Sequence, residues 1–173
     1  MHVHRFERIW LVAALGMIVL FVGTVTYGAV VAGYGMVNAE GGQVDTTDPA
    51  ASESFRDPGV YNGSEPGHYD VYVETRRFAF VPGTGEPIRV PADSTVTFHV
   101  VSADVLHGFE VAGTNINTMA IPGQKAVVTA EFDEPREYGL VCNEYCGEGH
   151  HTMAGTLEVV PQSSFNATAE VQS

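Results

Sequence analysis

The chemically dense stretch of this chain is Cys142-Asn143-Glu144-Tyr145-Cys146-Gly147-Glu148-Gly149-His150-His151-Thr152-Met153. Two thiols four positions apart, an imidazole four further on and a thioether three after that share one segment. Thiolate and thioether ligands combined with imidazole select copper over hard cations. Gly147 and Gly149 give the backbone the freedom to fold back on itself, as wrapping an ion requires.

Several chemistries compete for these residues. A Cys142–Cys146 disulfide is the ordinary use of two cysteines outside the cytoplasm, but it leaves His150 and Met153 without a role. Zinc accepts Cys, Cys and His, yet does not favour Met, and structural zinc loops usually space their cysteines Cys-x-x-Cys. A mononuclear blue-copper centre needs one Cys, two His and a weak Met, which makes the second Cys surplus. Two thiolates bridging two coppers uses every one of these side chains and requires a second His from elsewhere. His107 meets that requirement. It follows the apolar run ending in Ser102-Ala103-Asp104-Val105-Leu106, 35 positions before Cys142, where a barrel rim would lie.

The elements that must position these groups are short β-type runs: Val71–Phe80, Ile88–Val90, Thr95–Val101, Gly108–Val111, Ala126–Phe132, Glu137–Val141 and Gly155–Val160. Turn residues such as Pro82-Gly83, Ala112-Gly113 and Pro122-Gly123 separate them. Such punctuation predicts an all-β, cupredoxin-like Greek-key barrel or sandwich. Residues 37–68, rich in Gly, Pro, Ser, Asp and Glu, read as a linker, with a turn or two of helix at Ala50–Phe55.

Ahead of the linker, Ile9 to Ala39 is a run of 31 residues without a charge, long enough for a membrane-spanning helix over 9–36. Trp10 and Tyr34 suit its two interfaces. Arg5 and Arg8 precede it, so the positive-inside bias leaves residues 1–8 in the cytoplasm and the β region outside the cell membrane. Val37-Asn38-Ala39 offers the rival of signal cleavage, but the apolar run is far longer than a signal h-region of roughly 7–15 residues.

Beyond Ala39 there are 20 acidic and 6 basic residues, so that region carries −14 of the chain's net −13. A nucleic-acid partner is excluded, because such a domain repels the phosphate backbone. The acids are scattered from Glu40 to Glu170. They fit a surface adapted to high salt at least as well as a docking face, since above 1 M salt the Debye length falls below about 3 Å.

The pattern Cys-x-Glu-x-Cys-Gly-x-x-His-x-x-Met at 142–153, with Ser-x-Asp-Val-x-His at 102–107, resembles the CuA motif of subunit II of cytochrome c oxidase. The single helix, and Phe78-Ala79-Phe80 before a Pro-Gly turn, resemble the B-family of heme–copper oxidases. The resemblance implies one anchor, a cupredoxin-type CuA domain over 69–161 and a C-terminal tail over 162–173. It implies two copper ions bridged by Cys142 and Cys146. One copper takes His107 and, more weakly, Met153; the other takes His150 and the backbone carbonyl of Glu144. His151 is off register. Asp104 would orient His107 by hydrogen bonding.

Further implications are electron transfer from a soluble cytochrome c or blue-copper carrier to a heme of subunit I. Oxygen reduction and proton translocation follow in that partner, so no oxygen-reducing centre belongs to this chain. The Glu144 side chain is a Mg²⁺ candidate at the subunit I boundary, although B-family members can have Gln there. Glu7 is a proton-pathway candidate at the cytoplasmic edge, with a helix-end surface charge as its ordinary reading. The only Trp is Trp10, so Phe78 and Phe80 stand as candidates for electron input, against their ordinary reading as core. A membrane-tethered copper carrier outside any oxidase is the competing function, distinguished by one copper per chain instead of two. His2, His4, His68 and His99 carry no paired signal. Asn62-Gly63-Ser64 and Asn166-Ala167-Thr168 are glycosylation sequons, individually weak.

Overall fold

The computed structural model describes residues 4–30, 41–45 and 48–166, which fall into two units divided between Tyr34 and Gly35. His2, Tyr34, Val37-Asn38-Ala39, the last two residues of the second sequon and the tail beyond 166 lie outside the described residues.

The first unit is one helix, α1 (Arg5–Val30), 26 residues long. At 1.5 Å per residue it spans about 39 Å, more than a hydrocarbon core. Thr24 and Thr26 turn their hydroxyls back onto the carbonyls of Leu20 and Val22, at 2.9 and 2.8 Å. Those bonds satisfy both threonine hydroxyls within the helix itself. Its large apolar side chains are exposed on all sides, as a lipid-facing helix requires.

The second unit is a two-sheet β-sandwich. One sheet runs β1 (Gly59–Asn62), β2 (His68–Arg76), β5 (Ser94–Ser102), β8 (Ala126–Phe132), with β3 (Ala79–Val81) also on β2. The other runs β4 (Ile88–Pro91), β10 (Ala154–Val160), β9 (Arg136–Val141), β6 (His107–Val111), β7 (Asn117–Ala120). The pairs β2–β5 and β4–β10 are parallel, so the chain crosses between sheets rather than meandering within one. This is the expected Greek-key type of architecture. Between the sheets a run of rings, Phe80, Phe109, Phe98 and Phe132, has successive centroids 5.5 to 6.4 Å apart. Ile88, Leu140 and Leu157 complete this fully buried layer.

Three features differ from the expectation. The single strand expected over Val71–Phe80 is a hairpin: β2 ends at Arg76, the chain reverses at Arg77-Phe78, and Thr75 pairs with Phe80. No Gly, Pro, Asn or Asp marks that turn, and its hydrogen bonds come from distant residues. Strands β1 and β7 are also additional, each only four residues long. The segment read as a linker contributes to the domain. Gln43 bridges to Gln124, and Val44 and Phe55 pack on Val101 and Tyr72 over the outer face of the first sheet. Lys125 Nζ donates to the carbonyl of Ser54 at 2.6 Å. Expected helix at Ala50–Phe55 reduces to a 3-10 turn at Pro49–Ala51, and Phe165 packs edge-on against Tyr69.

Strand β5 explains why that cover is needed. Seven of its nine residues are buried, including Val101 on the outer face. Phe55→Ala is therefore expected to destabilise the outer domain by about 3 kcal/mol, the cost of emptying a buried aromatic site. Denaturant unfolding of the full chain in detergent measures it, and unchanged stability would show that 41–57 does not pack on the sheet.

Candidate metal centre

The ligand segment joins β9 to β10 as the loop of a hairpin. Its base is closed by Cys142 N–H donating to the carbonyl of Met153 at 3.4 Å, just beyond the Val141–Ala154 pair. The second ligand segment arrives through β6. Its register against β9 pairs Glu110 with Val141 and Val111 with Leu140. Continued along both strands, that register sets Gly108 beside Asn143 and His107 beside Glu144. Gly108 is needed there, because a Cβ would lie 2.8 Å from the Asn143 backbone nitrogen. The 35-residue gap in sequence is closed by one strand pairing.

His107, Cys142 and Cys146 are all buried, and their ligand atoms lie within 4.8 Å of one another. The two Sγ atoms are 3.8 Å apart, against about 2.05 Å for a disulfide, and both thiols are free. Metal–thiolate bonds of about 2.3 Å would let both sulfurs bind the same ions. His107 Nδ1 stands 3.9 Å from Cys142 Sγ, and His150 Nδ1 stands 3.6 Å from Cys146 Sγ. Met153 Sδ, buried, is 3.7 Å from Cys146 Sγ, and the Glu144 carbonyl oxygen is 3.1 Å from Cys142 Sγ. Every side chain expected as a ligand thus reaches the sulfur pair. His151 is exposed.

Burial pushes the Cys146 thiol up to about 11, and the adjacent Cys142 adds to the rise. Two thiolates this close repel, so a bound cation is what stabilises both in the ionised form. The donor set is soft and sulfur-rich, and it fits copper better than a hard ion.

The Asp104 carboxylate meets the ring of His107. Its Oδ1 lies 2.7 Å from His107 Nε2, which assigns the proton to that nitrogen and frees Nδ1 toward the sulfurs. Burial alone would raise the Asp104 carboxyl. The bonds from His107 and from the Val105 and Arg77 amides outweigh it and hold the group below its usual range.

The turn at Arg77-Phe78 supports the loop from below. Arg77 N–H donates to Asp104 Oδ2 at 2.8 Å, and Arg77 Nε donates to the Cys146 carbonyl at 3.3 Å. Phe78, half-buried, lies against the loop's glycines: a Cβ on Gly149 would fall 2.5 Å from its ring. Gly147 has φ +131°, whereas Gly149 is needed for space. Phe80 is fully buried against Phe109. It cannot meet an incoming carrier, because its strand turns that side chain into the core. Glu7 lies in the first turn of α1 and accepts the His4 amide at 2.8 Å.

Sequence reasoning missed the surface around the centre. Outside α1, the exposed large apolar side chains among the described residues are Met119, Val141 and Tyr145. Each adjoins a ligand segment. Met119 pairs with Gly108, Val141 precedes Cys142, and the Tyr145 ring is 5.9 Å from that of His150. A bulky aromatic between two ligand cysteines was the available signal.

A family model described as cytochrome c oxidase subunit II, periplasmic domain, matches residues 74–160. A cytochrome c oxidase subunit 2 of Thermus thermophilus is 36% identical over 160 residues, covering 89% of this chain and 91% of that one. A second Thermus thermophilus cytochrome c oxidase subunit 2 is 41% identical over 120 residues, covering 68% of this chain and 85% of its own length. Among solved structures, a chain of a heme–copper terminal oxidase dimer determined by cryo-EM superposes with TM-score 0.73 at 29% identity, covering 90% of this chain and 99% of that one. The periplasmic domain of oxidase subunit II (CoxB) of Bradyrhizobium japonicum, at TM-score 0.51 and 19% identity over 56% of this chain and 86% of that one, shares the fold. With its sulfur pair, its paired imidazoles and its apolar helix, the chain belongs to the subunit II family of cytochrome c oxidase.

Proposed function

We propose that this chain receives electrons outside the membrane at a binuclear CuA centre and passes them to a heme of oxidase subunit I. The observation that carries the reading is the pair of buried sulfurs 3.8 Å apart, with an imidazole Nδ1 on each side at 3.9 and 3.6 Å. His107, Cys142, Cys146, His150, Met153 and the Glu144 carbonyl would hold two copper ions. Such a pair, when bound, would supply one-electron transfer with little change at each of these ligands.

The protein supplies rigidity and dryness. The closed base of the β9–β10 hairpin fixes the spacing of the cysteines, and the Asp104 carboxylate fixes the ring of His107. Buried Met153, Cys142 and Cys146 keep water from the sulfurs. The apolar surface of Met119, Val141 and Tyr145 is the contact face for the soluble donor, a cytochrome c or a blue-copper protein. It takes the place of Phe80, and Phe78 acts beneath the loop. The helix anchors the chain with residues 1–8 in the cytoplasm and the copper domain outside. Glu144 is the candidate for Mg²⁺ at the boundary with subunit I. Glu7 is the candidate at the mouth of a proton pathway.

Copper analysis with EPR of the purified full chain tests the centre. Two coppers per chain and a delocalised mixed-valence signal are expected, both lost in Cys146→Ser. One copper with a four-line mononuclear Cu(II) signal would sink the bridging assignment, and one Cu(I) would favour the membrane-tethered carrier.

The contact face has its own test. Tyr145→Ala combined with Met119→Ala should lower kcat/KM for the donor about tenfold, equal to about 1.4 kcal/mol of docking energy, with the copper signal unchanged. A wild-type kcat/KM would remove this face from the docking site. For Glu7, the Glu7→Ala oxidase should turn over and take up protons more slowly. Unchanged rates discard that role.

A further inference from the structure

The Arg77-Phe78 turn touches both ligand segments, by different parts of one residue. The Arg77 backbone N–H holds Asp104 Oδ2 at 2.8 Å, and through the other carboxylate oxygen the ring of His107 at 2.7 Å. The Arg77 guanidinium holds the carbonyl of Cys146 at 3.3 Å. The first contact is available to any residue at this position except proline. The second is specific to the side chain.

The other bases of the outer domain are engaged elsewhere. Arg56 covers the Tyr61 ring, Arg76 pairs with Glu74, Arg89 pairs with Glu158, Lys125 holds the Ser54 carbonyl and Arg136 covers Tyr138. In a region of net charge −14, with Glu144 and Glu148 in the ligand loop itself, Arg77 is the cation directed at that loop. A guanidinium is permanently charged and planar, so it serves as a fixed donor and a fixed charge together. Arg77 is exposed, but its 3.3 Å contact with the Cys146 carbonyl is shorter than the Debye length of about 8 Å at physiological salt.

We infer that Arg77 is a positioning residue that also sets the reduction potential of the metal centre. Its guanidinium pins the Cys146 end of the loop and places a positive charge on the carbonyl of a residue whose sulfur belongs to the centre. A cation there favours the state that carries one more electron, so it raises the potential, and no bond in the clamp is made or broken when the electron arrives. Phe78 completes the support, because its ring fills the space that Gly149 leaves. The inference rests on the reading of this site as a two-copper centre.

The test is a redox titration of the centre, followed by its absorption and EPR, in the intact oxidase carrying Arg77→Gln or Arg77→Lys. Both variants retain the backbone bond to Asp104, so the His107 arm is held constant. Arg77→Gln should shift the midpoint to lower potential with two coppers retained, and Arg77→Lys should stay near the wild-type value. Equal midpoints in wild type and Arg77→Gln overturn the inference, as does a lysine variant lowered as far as the glutamine variant. Should Arg77→Gln lose copper, the lysine variant decides alone: a wild-type midpoint supports the charge, and a lowered one refutes it. A wild-type oxidase without a mixed-valence signal would instead overturn the two-copper reading, independently of any difference among the variants.

Discussion

The pairing of β6 with β9 is the constraint on which the rest depends. It is short, with only Glu110–Val141 and Val111–Leu140 in register, yet it fixes where two ligand segments 35 residues apart come together. A slip of one residue would turn the side chains of β6 to the other face and take His107 away from the sulfurs. Gly108 permits the close approach to Asn143, and Phe109, on the next position, anchors the strand in the aromatic layer between the sheets. The core therefore secures the metal site as well as the fold: the strand that carries His107 also carries a central core ring.

Legibility in the sequence followed the range of the interactions involved. The candidate ligand set stands out because its spacing lies within one loop and its chemistry is unusual, and His107 joins it because a second imidazole is required; the structure brings these side chains together. Strand existence was readable where an apolar or β-branched run stood between turn residues, from the nine residues of β5 down to the four of β4. It failed at β1 and β7, where Gly59-Val60-Tyr61-Asn62 and Asn117-Thr118-Met119-Ala120 mix one or two apolar residues with turn formers. The β2–β3 reversal was hidden for a different reason. Arg77 and Phe78 have no turn preference, and the bend is held by Asp104 and the Cys146 carbonyl, 27 and 69 positions away. The segment at 41–57 looked like a linker because polar residues outnumber the two, Val44 and Phe55, that dock it.

Glycines in the ligand loop show how one observation can have two causes. Both looked like sources of backbone freedom. Gly147, at φ +131°, fits that account. Gly149 is there because Phe78 occupies the space of a side chain. Only knowledge of what lies beneath the loop separates the two. The same ring that explains Gly149 is, from sequence, a candidate for electron input or a strand-core residue, and its support of the loop accounts for its half-buried position.

The acidic charge and the apolar face divide the surface between two physical tasks. Charge spread from Glu40 to Glu170 keeps the domain hydrated and soluble, and at high ionic strength its long-range field is screened. Apolar contact does not weaken with screening, and salts excluded from protein surfaces strengthen it. Met119, Val141 and Tyr145 gather at the ligand segments, while exposed large apolar groups are lacking over the rest of the described outer domain. An apolar face of this kind would act over short range, and its position beside the sulfurs would give the proposed donor a short path to them.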